Sequence, residues 1–152
     1  MKNWILLLLG LVLLSILPTP GTELGELHPI SALIVDTEGK QLRLTTDTLD
    51  CGVGETLDAA LKNLEDTTPG HLFVETVEYL IITEQTRYLL PQLKQILRPG
   101  VAVCLGGTEI DPKSVPEFLG SHIPNTKLAD AQKTGLLEKL SAVEGRYILE
   151  GE

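Results

Sequence analysis

The chain is poor in the residues from which catalytic and ligand-binding motifs are built. Among 152 residues there are two cysteines and three histidines. His28, His71 and His122 are scattered, and no H-x-x-x-H or C-x-x-C spacing occurs, so nothing sets two zinc ligands on one face. Gly52-Val53-Gly54-Glu55 precedes a helical pattern, where free amides can attract an anion. It lacks the third glycine, the Lys and the Ser/Thr of a phosphate-binding loop and has Asp50 and Glu55 as neighbours, so a plain turn and helix start is the expectation. Basic residues are also few: 12 Lys and Arg against 21 Asp and Glu, a formal net charge of -9. That sign repels nucleic acid and anionic headgroups beyond contact distance, which excludes nucleic acid as an expected partner. Internal repeats and low-complexity tracts are absent. No catalytic residue, metal ligand or cofactor is expected.

What is present begins with a contrast. Lys2-Asn3-Trp4 is followed by an apolar run from Ile5 to Leu17, and everything after Pro20 is acidic and mixed. A positive residue ahead of a short apolar core reads as an export signal. The cleavage region, Leu17-Pro18-Thr19-Pro20-Gly21-Thr22, offers no A-x-A, and the run is short for a spanning helix. Residues 1–21 are therefore read as a signal peptide or an N-terminal anchor, both alternatives standing. Either way the positive end stays inside and residues 22–152 are exported as one domain. The expected location is extracytoplasmic, secreted or held at the outer face of the cytoplasmic membrane, with the uncleaved segment as the membrane contact. Residues 1–21 hold one Lys and no acid, so the exported part carries -10.

Export bears on the cysteines. An oxidising compartment permits a Cys51–Cys104 disulfide closing a long loop. The alternative is two independent thiols, Cys104 lying in an apolar strand-like run where cysteine behaves as a small hydrophobe. A Cys51–His71 nucleophile pair has no hydrolase signature around it.

Along the chain, short apolar runs alternate with helical periodicity. Ile30–Asp36 and Gln41–Thr45 read as two strands joined at Glu38-Gly39. Leu57, Ala60, Leu61 and Leu64 mark one helix face, stopped by Thr67-Thr68-Pro69-Gly70. Leu72-Phe73-Val74 precedes Val77–Ile82, whose half from Tyr79 fits a central strand buried on both faces. Leu89, Leu90, Leu93, Ile96 and Leu97 mark a second helix, with Pro91 in its first turn. Val101–Leu105 reads as another buried strand. Asp111-Pro112 is predicted to start a short helix ending at Gly120, Ser121–Asp130 to be a loop, Leu136, Leu137 and Leu140 to belong to a helix, and Arg146–Leu149 to form a small edge strand. The pattern predicts a single α/β domain with a small mixed β-sheet flanked by helices, preceded by the hydrophobic signal or anchor helix.

Pockets in open α/β sheets form beyond the carboxyl ends of strands. Thr83, Glu84 and Gln85 follow one buried strand and Gly106, Gly107, Thr108, Glu109 and Asp111 follow the other, making these eight residues the candidate binding surface. Rim carboxylates such as Glu75, Glu78, Glu84, Glu109 and Asp111 could hold calcium or act as an acid/base pair. A solvated polar edge is the commoner outcome.

Glu23-Leu24-Gly25-Glu26-Leu27, Ile30–Asp36, Gly54-Glu55-Thr56-Leu57-Asp58-Ala59-Ala60-Leu61, His71-Leu72-Phe73 and Glu78–Glu84 follow an order that resembles the opening of the spore-germination Ger(x)C lipoproteins, the germinant receptor C subunits. The likeness covers roughly residues 23–120 and is to the N-terminal domain of that longer family. It implies an accessory protein on the outer face of a spore-former's membrane that works by contact with membrane receptor proteins and performs no chemistry. Three departures limit the transfer. No cysteine occurs before Cys51, so lipid attachment after the signal does not carry over. The family's further length is not matched. Glu75-Thr76 stands where the family often has Gly-His. Outside this resemblance, a small exported enzyme or ligand-binding module using the acidic strand-end loops is the alternative.

Overall fold

A computed structural model describes residues 27–151. The expected signal or anchor helix lies outside the described residues. The architecture is mixed α/β, with a seven-stranded sheet larger than the sequence pattern predicts.

The sheet runs in the order β4-β3-β2-β6-β7-β8-β9. Its strands are β2 (Ala32–Glu38), β3 (Gln41–Thr46), β4 (Cys51–Gly54), β6 (Tyr79–Ile82), β7 (Ala102–Gly106), β8 (Lys139–Val143) and β9 (Arg146–Glu150). β2, β6, β7 and β8 are parallel, while β3, β4 and β9 add antiparallel pairs at the two ends. A separate parallel pair joins β1 (Leu27–Pro29) to β5 (His71–Phe73). Among the described residues four α-helices complete the fold: α1 (Leu57–Thr67), α2 (Leu90–Ile96), α3 (Val115–Ser121) and α4 (Leu128–Thr134). A 3₁₀ turn over Glu84–Leu89 leads into α2.

Tyr79-Leu80-Ile81-Ile82 is buried throughout, as a central parallel strand covered on both faces requires. Alternate residues separate the two cores. On one face Leu33, Val35, Leu44, Leu80, Ile82 and Val103 meet Leu57, Ala60 and Leu64 of α1, Leu90 and Leu93 of α2, and Leu128 and Ala131 of α4. On the other, Ala32, Ile34, Ile81 and Cys104 meet Ile110, Val115, Leu119 and Leu140. The first core is served by three helices and the second by one short helix and a loop.

Four local expectations are corrected. Gly52-Val53-Gly54 is strand β4, and only Glu55-Thr56 leads into the helix. The glycines are there because α1 crosses them closely: a Cβ on Gly52 would lie 2.5 Å from Leu64 Cβ. Asp111-Pro112 does not start α3. Asp111 instead accepts the Lys113 amide (3.2 Å) and the Ser114 hydroxyl (2.8 Å), closing a turn, and the helix begins at Val115 with Pro116 in its first turn. The predicted loop Ser121–Asp130 ends early, since buried Leu128 and Ala131 dock α4 on the first core. Leu136, Leu137 and Leu140 form no helix: Gly135 ends α4 at φ 64, and Lys139-Leu140-Ser141-Ala142-Val143 alternates as a strand pairing with both β7 and β9.

The cysteines are both free. Cys51 on β4 and Cys104 on β7 are four strand steps apart, about 19 Å at sheet spacing, well beyond the roughly 7 Å a disulfide can span. The bridge is excluded by the sheet order.

Candidate functional site

The parallel register brings the two candidate loops to one edge of the sheet. Val35 pairs with Ile82 and Ile82 with Leu105, so Asp36-Thr37 in the last part of β2, Thr83-Glu84-Gln85 and Gly106–Asp111 lie side by side. The sequence expectation of neighbouring strand-end loops is met at this level.

The side chains then part company. In the first loop they are engaged with their own chain. Thr86 is fully buried, donates to the Val35 carbonyl (2.9 Å) and accepts the Thr83 amide (3.0 Å). Gln85 Oε1 accepts from the Thr37 hydroxyl (2.5 Å), and Glu84 lies 3.4 Å from Arg87 one helical turn on. Gly107 and Thr108 line a groove of about 200 Å³ with Ile34, Asp36, Arg43, Thr45 and Ile110. Gly106 presses on Ile81, whose Cγ2 occupies the space a Cβ would need.

Glu109 and Asp111 face a different depression, of about 630 Å³, between α3 and the β8–β9 hairpin. Its polar rim is Glu109, Asp111, Ser114 and Glu117, and its aromatic wall is Phe118, His122 and Tyr147. The Phe118 and His122 rings stack at 4.4 Å, and Tyr147 tilts against Phe118 at 5.4 Å. The Tyr147 hydroxyl accepts the Asp111 amide (3.0 Å) and shares a hydrogen bond with the Ser114 hydroxyl (2.9 Å), tying the hairpin to the turn before α3. The hydrogen bond from Ser114, with the backbone amide of Lys113, holds the Asp111 carboxyl below its ordinary value. Sequence reasoning missed Ser114, Glu117, His122 and Tyr147. The one legible signal was the i, i+4 spacing of Phe118 and His122; Tyr147 arrives from 36 residues beyond Asp111 and carries no local signal.

Reactive side chains are dispersed. Burial, aided by the charge of Glu138, pushes the Cys104 thiol up to about 12, which keeps it protonated. Cys51 is half-buried on β4, its polar neighbour being the Arg43 guanidinium on the adjacent strand, while His71 is exposed on β5, outside the large sheet. His28 Nε2 lies 3.1 Å from Asp50 Oδ2 but is not aligned for a hydrogen bond. Among the described residues no three His, Cys, Asp or Glu side chains are gathered to hold a metal, and no helix is long and apolar enough to cross a membrane. Comparison with protein-family models, with curated proteins and with solved structures finds no match.

Proposed function

We propose that the chain is an exported, non-enzymatic interaction domain similar to the N-terminal domain of spore germinant receptor C subunits, acting by contact with a membrane receptor complex at the outer face of the cytoplasmic membrane. The observation that carries this reading is the fate of the segments on which the resemblance rests. Ile30–Asp36 and Glu78–Glu84 supply the adjacent parallel strands β2 and β6, Gly54–Leu61 the end of β4 and the start of α1, and His71–Phe73 strand β5. Segments dispersed over some fifty residues thus form one scaffold. The loop groups bonded to their own chain suit a shaped contact surface better than an activated nucleophile. Affinity capture from solubilised membranes of the source organism, with the full chain as bait, is expected to recover a multi-span membrane protein. Recovery of none counts against the reading.

A second reading, a small ligand-binding module, draws on the depression where Glu109 and Asp111 meet Phe118 and Tyr147. Thermal unfolding of the full chain with calcium or small organic cations distinguishes it: a concentration-dependent rise in Tm supports the module, and an unchanged Tm leaves the contact surface.

A further inference from the structure

The two edges of the large sheet are finished differently. At the β4 edge, α1 covers the outward backbone groups: the Asn63 side chain accepts the Val53 amide (2.9 Å) and the Thr67 hydroxyl donates to the Cys51 carbonyl (3.2 Å). An unpaired strand edge is a template for another strand, and capping it removes that template. The β9 edge has no such cover among the described residues.

The register defines what β9 offers. Glu144 (φ 51) and Gly145 (φ 74) form the two-residue turn between Val143 and Arg146, both at the positive φ that a type I′ hairpin needs. The closing pair of such a hairpin exchanges both hydrogen bonds, and bonded pairs then alternate. Arg146, Ile148 and Glu150 therefore turn their backbone groups to β8. The Leu105 amide bonding to Glu138 O (2.8 Å) agrees, because it leaves Lys139, Ser141 and Val143 facing β9. Tyr147 and Leu149 present their amides and carbonyls outward. The side chains alternate the other way: Tyr147 and Leu149 pack on the second core, while Arg146, Ile148 and Glu150 are exposed, Ile148 at 40 %.

We propose that β9 pairs antiparallel with β9 of a second copy of this chain, about a two-fold axis at Ile148, making one continuous sheet through two molecules. The strand Arg146-Tyr147-Ile148-Leu149-Glu150 is self-complementary in that register. Each outward-facing Tyr147 meets an outward-facing Leu149 of the second copy, so the backbone groups of both strands match. Arg146 falls opposite Glu150, giving two pairs of opposite charge on the exposed face, and Ile148 lies against its own copy. Cross-strand pairs of these kinds stabilise a sheet, and an isologous contact closes at two molecules. A shift of two residues in either direction loses both charge pairs, which selects the register. This pairing is independent of any receptor contact, so either can fail alone.

The test is cross-linking of the full chain carrying Cys51→Ser, in which buried Cys104 remains unreactive. Residues at the axis sit in a non-bonded antiparallel pair with Cα atoms about 4.5 Å apart, within reach of a disulfide. Ile148→Cys is expected to give a covalent dimer under mild oxidation at concentrations on the order of 100 μM, since short strand pairs associate weakly. Val143→Cys, as exposed but on β8, gives little. Arg146→Glu, which sets like charges opposite each other, lowers the Ile148→Cys dimer several-fold, and Arg146→Glu with Glu150→Arg restores it. Equal cross-linking at 143 and 148, or no response to the charge exchange, overturns the proposal. Dimer formation only after deletion of residues 1–26 also overturns it, by naming that segment as the occupant of the edge.

Discussion

Gly52 and Gly54 mark the closest approach of the sheet to a helix. A Cβ at 52 would meet the Ala60 carbonyl oxygen and lie 2.6 Å from Leu64 N, and one at 54 would lie 2.9 Å from Ala59 Cβ. Backbone cannot step aside as a flexible side chain can, so Gly52→Ala is expected to cost about 1–3 kcal/mol in urea unfolding through overpacking. Gly100→Ala, with open space around it, should stay within about 0.5 kcal/mol. At the thiols, an alkylating reagent at pH 8 should modify Cys51 in the folded chain and reach Cys104 only after denaturation, as a thiol pushed to about 12 and fully buried requires. Rapid modification of both would contradict the burial. Asp111 has a lowered pKa through Ser114 and Lys113. Its carboxylate supports the turn fully above the ordinary value of 3.8 and loses that support as pH falls through its lower folded value. Ser114→Ala should move the Asp111 carboxyl titration, followed by NMR, upward toward 3.8.

Elements were legible where one periodicity dominated. Buried β6 and amphipathic α1 follow directly from Tyr79–Ile82 and from Leu57, Ala60 and Leu64. Leu136, Leu137 and Leu140 suit one helix face equally well, but only Leu140 enters the strand hairpin, where β8 pairs with both β7 and β9, and Leu136 and Leu137 lie in the connection before it. β4 was missed because glycine has low strand propensity; its glycines answer to α1 above them. The turn into α2 depends on a single buried hydroxyl. Thr86→Val keeps the shape but removes the bond to Val35 O and the acceptor for Thr83 N, so a loss of about 1–3 kcal/mol is expected in chemical unfolding. Thr86→Ser should recover most of it. Equal stability of Thr86→Val and the parent chain would show that the hydroxyl contributes nothing to the joint.

At the scale of the whole molecule, the proposed function puts this acidic chain outside the cytoplasmic membrane. Protease added to intact protoplasts of the source organism should degrade it, and protection until lysis would place it inside. Composition, charge and apolar periodicity determined this expectation, the mixed α/β class and the buried central strands, because each is a property of residues close together in the chain. Tertiary structure alone decided the rest. The order of strands put Cys51 and Cys104 beyond bonding distance, and the docking of the hairpin on α3 brought Tyr147 to Asp111 and Ser114. It also left β9 at an open edge while α1 capped β4. Those outcomes depend on which surfaces meet after the elements form, and a linear pattern carries no measure of distances between residues far apart along it.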